Sequence, residues 1–163
     1  MTSILFVCTA NQIRSPLASA IFKKFLDEEV EPPREWKIDS AGVWARPNLV
    51  PEPNAIAFAA ELEIDLSEYR SKQINEGLLK ASDLIIVMEK GQKESICYEY
   101  PEIEYKVFMF TEFGEHPYDF PDPHGMPPEK YKKVLIDLYS IIAKNHPSII
   151  RRAENLSSNS IMY

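Results

Sequence analysis

An apolar, partly β-branched run at Ser3–Cys8 (SILFVC) is followed almost at once by helical spacing, with Leu17, Ala18, Ile21, Phe22 and Phe25 on one face. Only Thr9–Arg14 is left for the change of period. Pro16 suits a first helical turn, where its missing N–H would be unpaired anyway, and Ser15 before it can cap the turn. The chain therefore opens as strand, tight loop and helix. That order points to a layered α/β fold, in which each helix folds back over the apolar face of a sheet.

The alternation recurs. Strands are predicted at Trp36–Asp39, at Leu84–Met88 (LIIVM, apolar throughout, as a strand covered on both faces must be) and at Val107–Phe110. Helices are predicted at Asn54–Leu62 and at Gly91–Tyr98, the second stopped by Pro101. Pro127 and Pro128 open a last helix whose stripe is Tyr131, Val134, Leu135, Leu138, Ile141 and Ile142. The fold class is thus α/β, a single three-layer domain with a four-stranded parallel sheet flanked by helices. Such sheets bind ligands beyond the carboxyl ends of their strands. The domain is expected over residues 1–147, with 148–163 a polar, weakly ordered tail. Two proline-rich loops, Gly42–Pro53 and Thr111–Gly125, are long for connectors and are expected to border the site.

At 163 residues, with 45% apolar and 26% charged residues, the chain has the size and balance of one folded unit. No apolar run nears the roughly 20 residues that span a bilayer, and the opening strand has neither a basic leader nor a small-residue cleavage site. A cytoplasmic location without membrane insertion is expected. Cys8 and Cys97 make no disulfide framework and lack the paired spacing of a zinc site, so no metal and no cofactor are expected. A formal charge of −7 argues against nucleic acid while leaving room for one locally positive pocket.

The stretch Cys8-Thr9-Ala10-Asn11-Gln12-Ile13-Arg14-Ser15 makes such a pocket. A loop of this length can curl so that successive backbone N–H groups point at a dianion, and the helix N-terminus adds its partial positive charge. Arg14 would close the ring with a planar fork that grips two phosphate oxygens. The same field favours the thiolate of Cys8, the nucleophilic form, and Ser15 could donate its hydroxyl to that sulfur when it later departs. An isolated cysteine with an arginine six positions on also fits a buried, inert thiol. The strand–loop–helix setting and the following Ser-Pro give the spacing its meaning.

On Ile4–Pro16, Asp39–Gly42, Pro53–Ala60, Ser82–Lys90 and Phe120–Gly125, the chain resembles the low-molecular-weight protein tyrosine phosphatases from end to end. It is most similar to the bacterial branch paired with tyrosine kinases of polysaccharide export. The resemblance implies hydrolysis of protein phosphotyrosine through a phosphocysteine intermediate, with Cys8 as nucleophile. It implies Thr9 to Ser15 as the phosphate-binding loop and Asp122 in Asp122-Pro123-His124 as general acid, then base. Protonating a tyrosyl leaving group contributes about 10²–10⁴-fold. Asp119 is the nearby competitor outside the family frame. Asn11, which tolerates positive φ, would tie to Ser40. Trp44 and His124, with Tyr118 as a further candidate, would wall the substrate ring. Implied partners are a phosphotyrosine-containing protein and a cognate tyrosine kinase, with the chain a monomer or weak dimer.

Several positions depart from the family pattern. Ala10 replaces a usual glycine and would strain the loop if its φ were positive. Ile13 replaces a common second cysteine, Tyr69 a histidine, Lys72 an arginine and His124 an aromatic residue. Two other readings stay open. A thiol-relay arsenate reductase shares the loop but needs more cysteines than Cys8 and Cys97 provide. An inactive relative that holds phosphotyrosine without cleaving it is kept open by the departures at Ala10 and His124, although Cys8, Arg14, Ser15 and Asp122 are all present.

Overall fold

Alternation along β1 (Thr2–Cys8) divides the core in two. Ile4, Phe6 and Cys8 face one cluster with Leu84 and Ile86 of β3 (Leu84–Val87), while Leu5 and Val7 face another with Ile85 and Val87. The first cluster is covered by α1 (Arg14–Glu29), α2 (Pro53–Glu61) and α5 (Pro128–Ser160), the second by α3 (Glu76–Ala81) and α4 (Lys90–Glu99). Phe6 and Ile86 are sealed completely, each worth about 1.5–3 kcal/mol over an exposed position. The computed structural model describes residues 1–29 and 35–160.

The sheet is parallel throughout, in the order β2-β1-β3-β4, with β2 at Trp36–Gly42 and β4 at Val107–Met109. β1 therefore lies between β2 on one side and β3 on the other, and the order reverses at its carboxyl end. A crevice opens at such a point. The register Cys8↔Gly42 and Val7↔Val87 brings the ends of all three strands level there.

The four predicted strands are present with their ends moved by a few residues. α3 was not foreseen, although Asn75 signals it by accepting Leu78 N–H at 2.8 Å as an N-cap. The larger difference is at the end of the chain. The tail expected from residue 148 is instead the last part of α5, which runs through Pro147 to Ser160 and buries Ile149 and Ala153. A mid-helix proline costs about 3 kcal/mol, partly by leaving the carbonyl four residues back without a donor. Here His146 Nδ1 lies 2.9 Å from that carbonyl, of Ala143, while its ring stacks on Phe25 at 4.8 Å and its Nε2 meets Glu29 at 2.7 Å.

Candidate active site

The loop between β1 and α1 is held from outside by its own carbonyls. Cys8 O and Thr9 O accept Val43 N–H and Trp44 N–H at 2.9 and 3.0 Å, and Gln12 O accepts Glu52 N–H at 3.0 Å. Gly42 is required at this approach, since a Cβ there would stand 2.4 Å from Thr9 O. The left-handed residue of the loop is Asn11, at φ 57°, and Ala10 is not among the positive-φ residues. The strain that alanine would have brought does not arise.

Asn11 is buried, and its amide is fully used. Nδ2 donates to Ser15 Oγ at 2.8 Å and to Ser40 Oγ at 3.0 Å; Oδ1 accepts Lys72 N–H and the Tyr69 hydroxyl, both at 3.0 Å. Tyr69 also reaches Ser40 O at 2.9 Å and bonds Ser40 Oγ. Burial pushes the Tyr69 phenol up, against the smaller opposing effect of its bonds to Ser40 and Asn11. The product of this network is at Cys8, whose Sγ receives Asn11 N–H at 3.3 Å and lies 2.9 Å from Ser15 Oγ.

Arg14 begins α1 and is 2% exposed. One terminal nitrogen donates to Phe120 O at 2.7 Å and the other to Glu89 Oε2 at 2.8 Å. With two donors fixed, the plane of the guanidinium is set and its remaining N–H groups are available to an anion. Gln92 in α4 ties this pair to the loop, donating to Thr9 Oγ1 at 3.0 Å and to Glu89 at 3.1 Å. Sequence reasoning missed Glu89 and Gln92. The signal was an acidic residue just beyond the carboxyl end of β3, where a buried arginine from the neighbouring strand-loop needs a counter-charge.

The recess, about 150 Å³, is lined by Cys8, Thr9, Ala10, Gln12, Ile13, Arg14, Glu52, Asp122 and His124. Asp122 Oδ2 stands 3.9 Å from Arg14, and its Oδ1 accepts His124 N–H at 3.0 Å. Asp119 is engaged elsewhere, accepting Lys90 N–H at 2.7 Å at the start of α4. Trp44 is not part of the lining and is 85% exposed, so its position does not make it a wall of the recess. Tyr118 lies outside the lining too, its ring against His116. In their place stands Glu52, which sequence reasoning passed over. It accepts the Tyr131 hydroxyl at 3.0 Å and meets His124 Nδ1 at 2.6 Å. That hydrogen bond and the Glu52 charge, with Asp122 adding to them, push the His124 imidazole up. Burial first, and then Glu52, raise the Tyr131 phenol. Among the described residues no cluster of His, Cys, Asp and Glu could hold a metal ion.

A profile of the low molecular weight phosphotyrosine protein phosphatase family matches residues 3–154. The chain is 33% identical over 143 residues to the low molecular weight protein-tyrosine-phosphatase Wzb of Escherichia coli K12, covering 88% of this chain and 89% of that one. It is also 33% identical over 141 residues to a protein-arginine-phosphatase of Bacillus subtilis, covering 85% and 91%. A solved structure of the YwlE arginine phosphatase, a cysteine-to-serine mutant with a phosphorylated active-site serine, superposes with a TM-score of 0.83 at 30% identity, over 94% of this chain and 99% of that one. A strand-end cysteine, an arginine opening the next helix and a match over nearly the whole chain agree: this protein is a phosphatase and belongs to the low molecular weight phosphotyrosine protein phosphatase family.

Proposed function

We propose that the chain hydrolyses protein phosphotyrosine through a phosphocysteine intermediate. One observation carries the reading: Cys8 Sγ, which receives Asn11 N–H and lies 2.9 Å from Ser15 Oγ, shares one recess with Arg14 and Asp122. Cys8 thiolate attacks phosphorus while Arg14 and the loop N–H groups hold the equatorial oxygens. The P–O bond to the tyrosyl group breaks, and Asp122 gives its proton to the departing oxygen. The Asp122 carboxylate then takes a proton from water as that water attacks phosphorus. The S–P bond breaks, Ser15 donates to the leaving thiolate, and inorganic phosphate departs. The phosphorylated active-site serine of the YwlE mutant supports a covalent intermediate at this position. The substrate is a phosphotyrosyl protein, with a tyrosine kinase as the opposing partner, met by the chain as a monomer or weak dimer.

Turnover of para-nitrophenyl phosphate by the wild type, abolished in Cys8→Ser, tests the chemistry; turnover that survives the change overturns it.

The rim favours a second substrate as well. The lining has no tyrosine, phenylalanine or tryptophan ring, and Asp122 offers a carboxylate to a cationic guanidinium beside the phosphate, Glu52 being paired with His124. Phosphoarginine fits that arrangement, and a relative of this chain is named a protein-arginine-phosphatase. Matched phosphotyrosyl and phosphoarginyl peptides decide between the two by their ratio of kcat/KM.

A further inference from the structure

Three parts of the site meet at Glu52. Its N–H ties the start of α2 to Gln12 O at 3.0 Å, its Oε2 accepts the Tyr131 hydroxyl from the first turns of α5 at 3.0 Å, and its Oε1 holds His124 Nδ1 at 2.6 Å. His124 lies two residues beyond Asp122.

The loop that carries Asp122 is well fixed on its upstream side. Phe120 N–H donates to Met88 O at 2.9 Å, Phe120 O accepts Arg14 at 2.7 Å, and the Asp119 carboxylate accepts Lys90 N–H at 2.7 Å. Downstream, among the described residues, the side-chain hydrogen bond from 123–126 to another element is the one between His124 and Glu52. Asp122 itself is half exposed. Pro123 is buried and Met126 packs against the core, which seats the backbone. The polar tie that orients this side of the loop is the one from His124 to Glu52, and a misplacement of the acid by about an ångström can cost about 10²-fold in rate.

We propose that His124 and Glu52 form a latch that positions Asp122 for proton transfer to the leaving group, which makes His124 a positioning residue. The inference rests on reading Asp122 as the general acid. The groups facing the imidazole are the Glu52 carboxylate at the start of α2, the Asp122 carboxylate on its own loop and the neutral Tyr131 hydroxyl on α5. Both carboxylates favour the imidazolium, so the latch is a charged hydrogen bond with its acceptor fixed from two further elements. In the step it serves, the S–P bond forms, the P–O bond breaks and the proton on Asp122 passes to the departing oxygen. Only the last of these depends on where Asp122 sits.

Leaving-group dependence therefore tests it. kcat/KM is measured for a series of aryl phosphates running from 2,4-dinitrophenyl to phenyl phosphate, with wild type, D122N, H124A, H124Q and E52Q. Wild type should show a shallow dependence on leaving-group basicity and D122N a steep one. H124A and E52Q should fall between, losing about tenfold on phenyl phosphate and less than about threefold on the dinitrophenyl ester. H124Q, which keeps a donor toward Glu52, should recover part of the loss. His124 is 74% exposed, so H124A should fold, and E52Q reads the same latch from the other side. A wild-type slope for H124A and E52Q beside a steep D122N overturns the latch alone; so does an equal loss on every ester. A shallow slope for D122N overturns the general-acid reading, and the latch with it.

Discussion

Ser15 Oγ stands 2.9 Å from Cys8 Sγ and accepts an amide hydrogen of Asn11 at 2.8 Å. Because the hydroxyl receives from Asn11, its own proton is free to point at the sulfur; the other acceptor in reach, Ala41 O, is farther at 3.3 Å. The asparagine thus sets the direction of the serine, and both Ser40 and Tyr69 hold the asparagine.

Ser15→Ala should slow release of the phosphorylated cysteine more than its formation. A hydrogen bond to a charged group is worth about 1.5–3 kcal/mol, so kcat should fall roughly 10- to 150-fold. Rapid-mixing turnover of para-nitrophenyl phosphate should show a burst close to one equivalent. A slow linear trace without a burst would contradict this order of events.

Glu89→Gln leaves the buried Arg14 with Phe120 O as its neutral partner. Breaking a fully buried pair costs about 3–5 kcal/mol; Glu89 is 34% exposed, so about 1–3 kcal/mol is expected in urea unfolding. kcat should drop with it as the guanidinium loses its fixed plane. Full stability would mean that water replaces the carboxylate without loss.

Tyr69→Phe removes the hydroxyl that reaches Asn11 Oδ1 and Ser40, at an expected cost of about 1 kcal/mol in urea unfolding. Burial holds the phenol above its ordinary range, so the variant should lower kcat/KM without changing the acidic and neutral parts of the pH profile. A shifted acidic limb would place Tyr69 in the titration itself.

The His124 imidazole titrates above its ordinary value because of Glu52 first, with Asp122 adding to it. A raised folded value means that the pairing is complete below the ordinary imidazole pKa and fades as pH rises through the raised one. An NMR titration of the His124 ring should show the elevation, and Glu52→Gln should remove most of it. Added salt should lower it too, since the ring is exposed.

His146→Leu keeps an apolar neighbour for Phe25 but withdraws the donor from Ala143 O beside Pro147. About 2 kcal/mol should be lost in urea unfolding, with little change in kcat. A neutral result would show that the helix crosses Pro147 without help from this ring.

The layered fold was legible because β1, β3 and α1 carry unbroken apolar patterns whose period decides the element. Cys8, Arg14 and Ser15 were legible because their spacing spans one strand-to-helix turn. What could not be read were contacts made over long separations. Glu89 reaches Arg14 across 75 positions and Glu52 reaches His124 across 72; the place of Glu89 just beyond β3 gains meaning only once β3 is known to lie beside β1, and nothing local marks Glu52. The segment from 148 misled for the opposite reason: its polar, weakly patterned sequence reads as a tail, but α5 continues through Pro147 and buries Ile149 and Ala153. Trp44 was drawn toward the site by its loop, whose backbone does join the site while its ring turns out to solvent.

The two thiols lie on opposite sides of the sheet, Cys8 within the cluster of α1 and α5 and Cys97 packed against that of α3 and α4. Ile13 fills the loop position beside Cys8 where an internal partner could have stood. Peroxide that oxidises Cys8 therefore meets no protein thiol able to trap the sulfenic acid as an intramolecular disulfide. An oxidative pulse should then act more as a fuse than as a switch: only a thiol from outside the chain or a backbone nitrogen is left to hold Cys8 at the reversible stage.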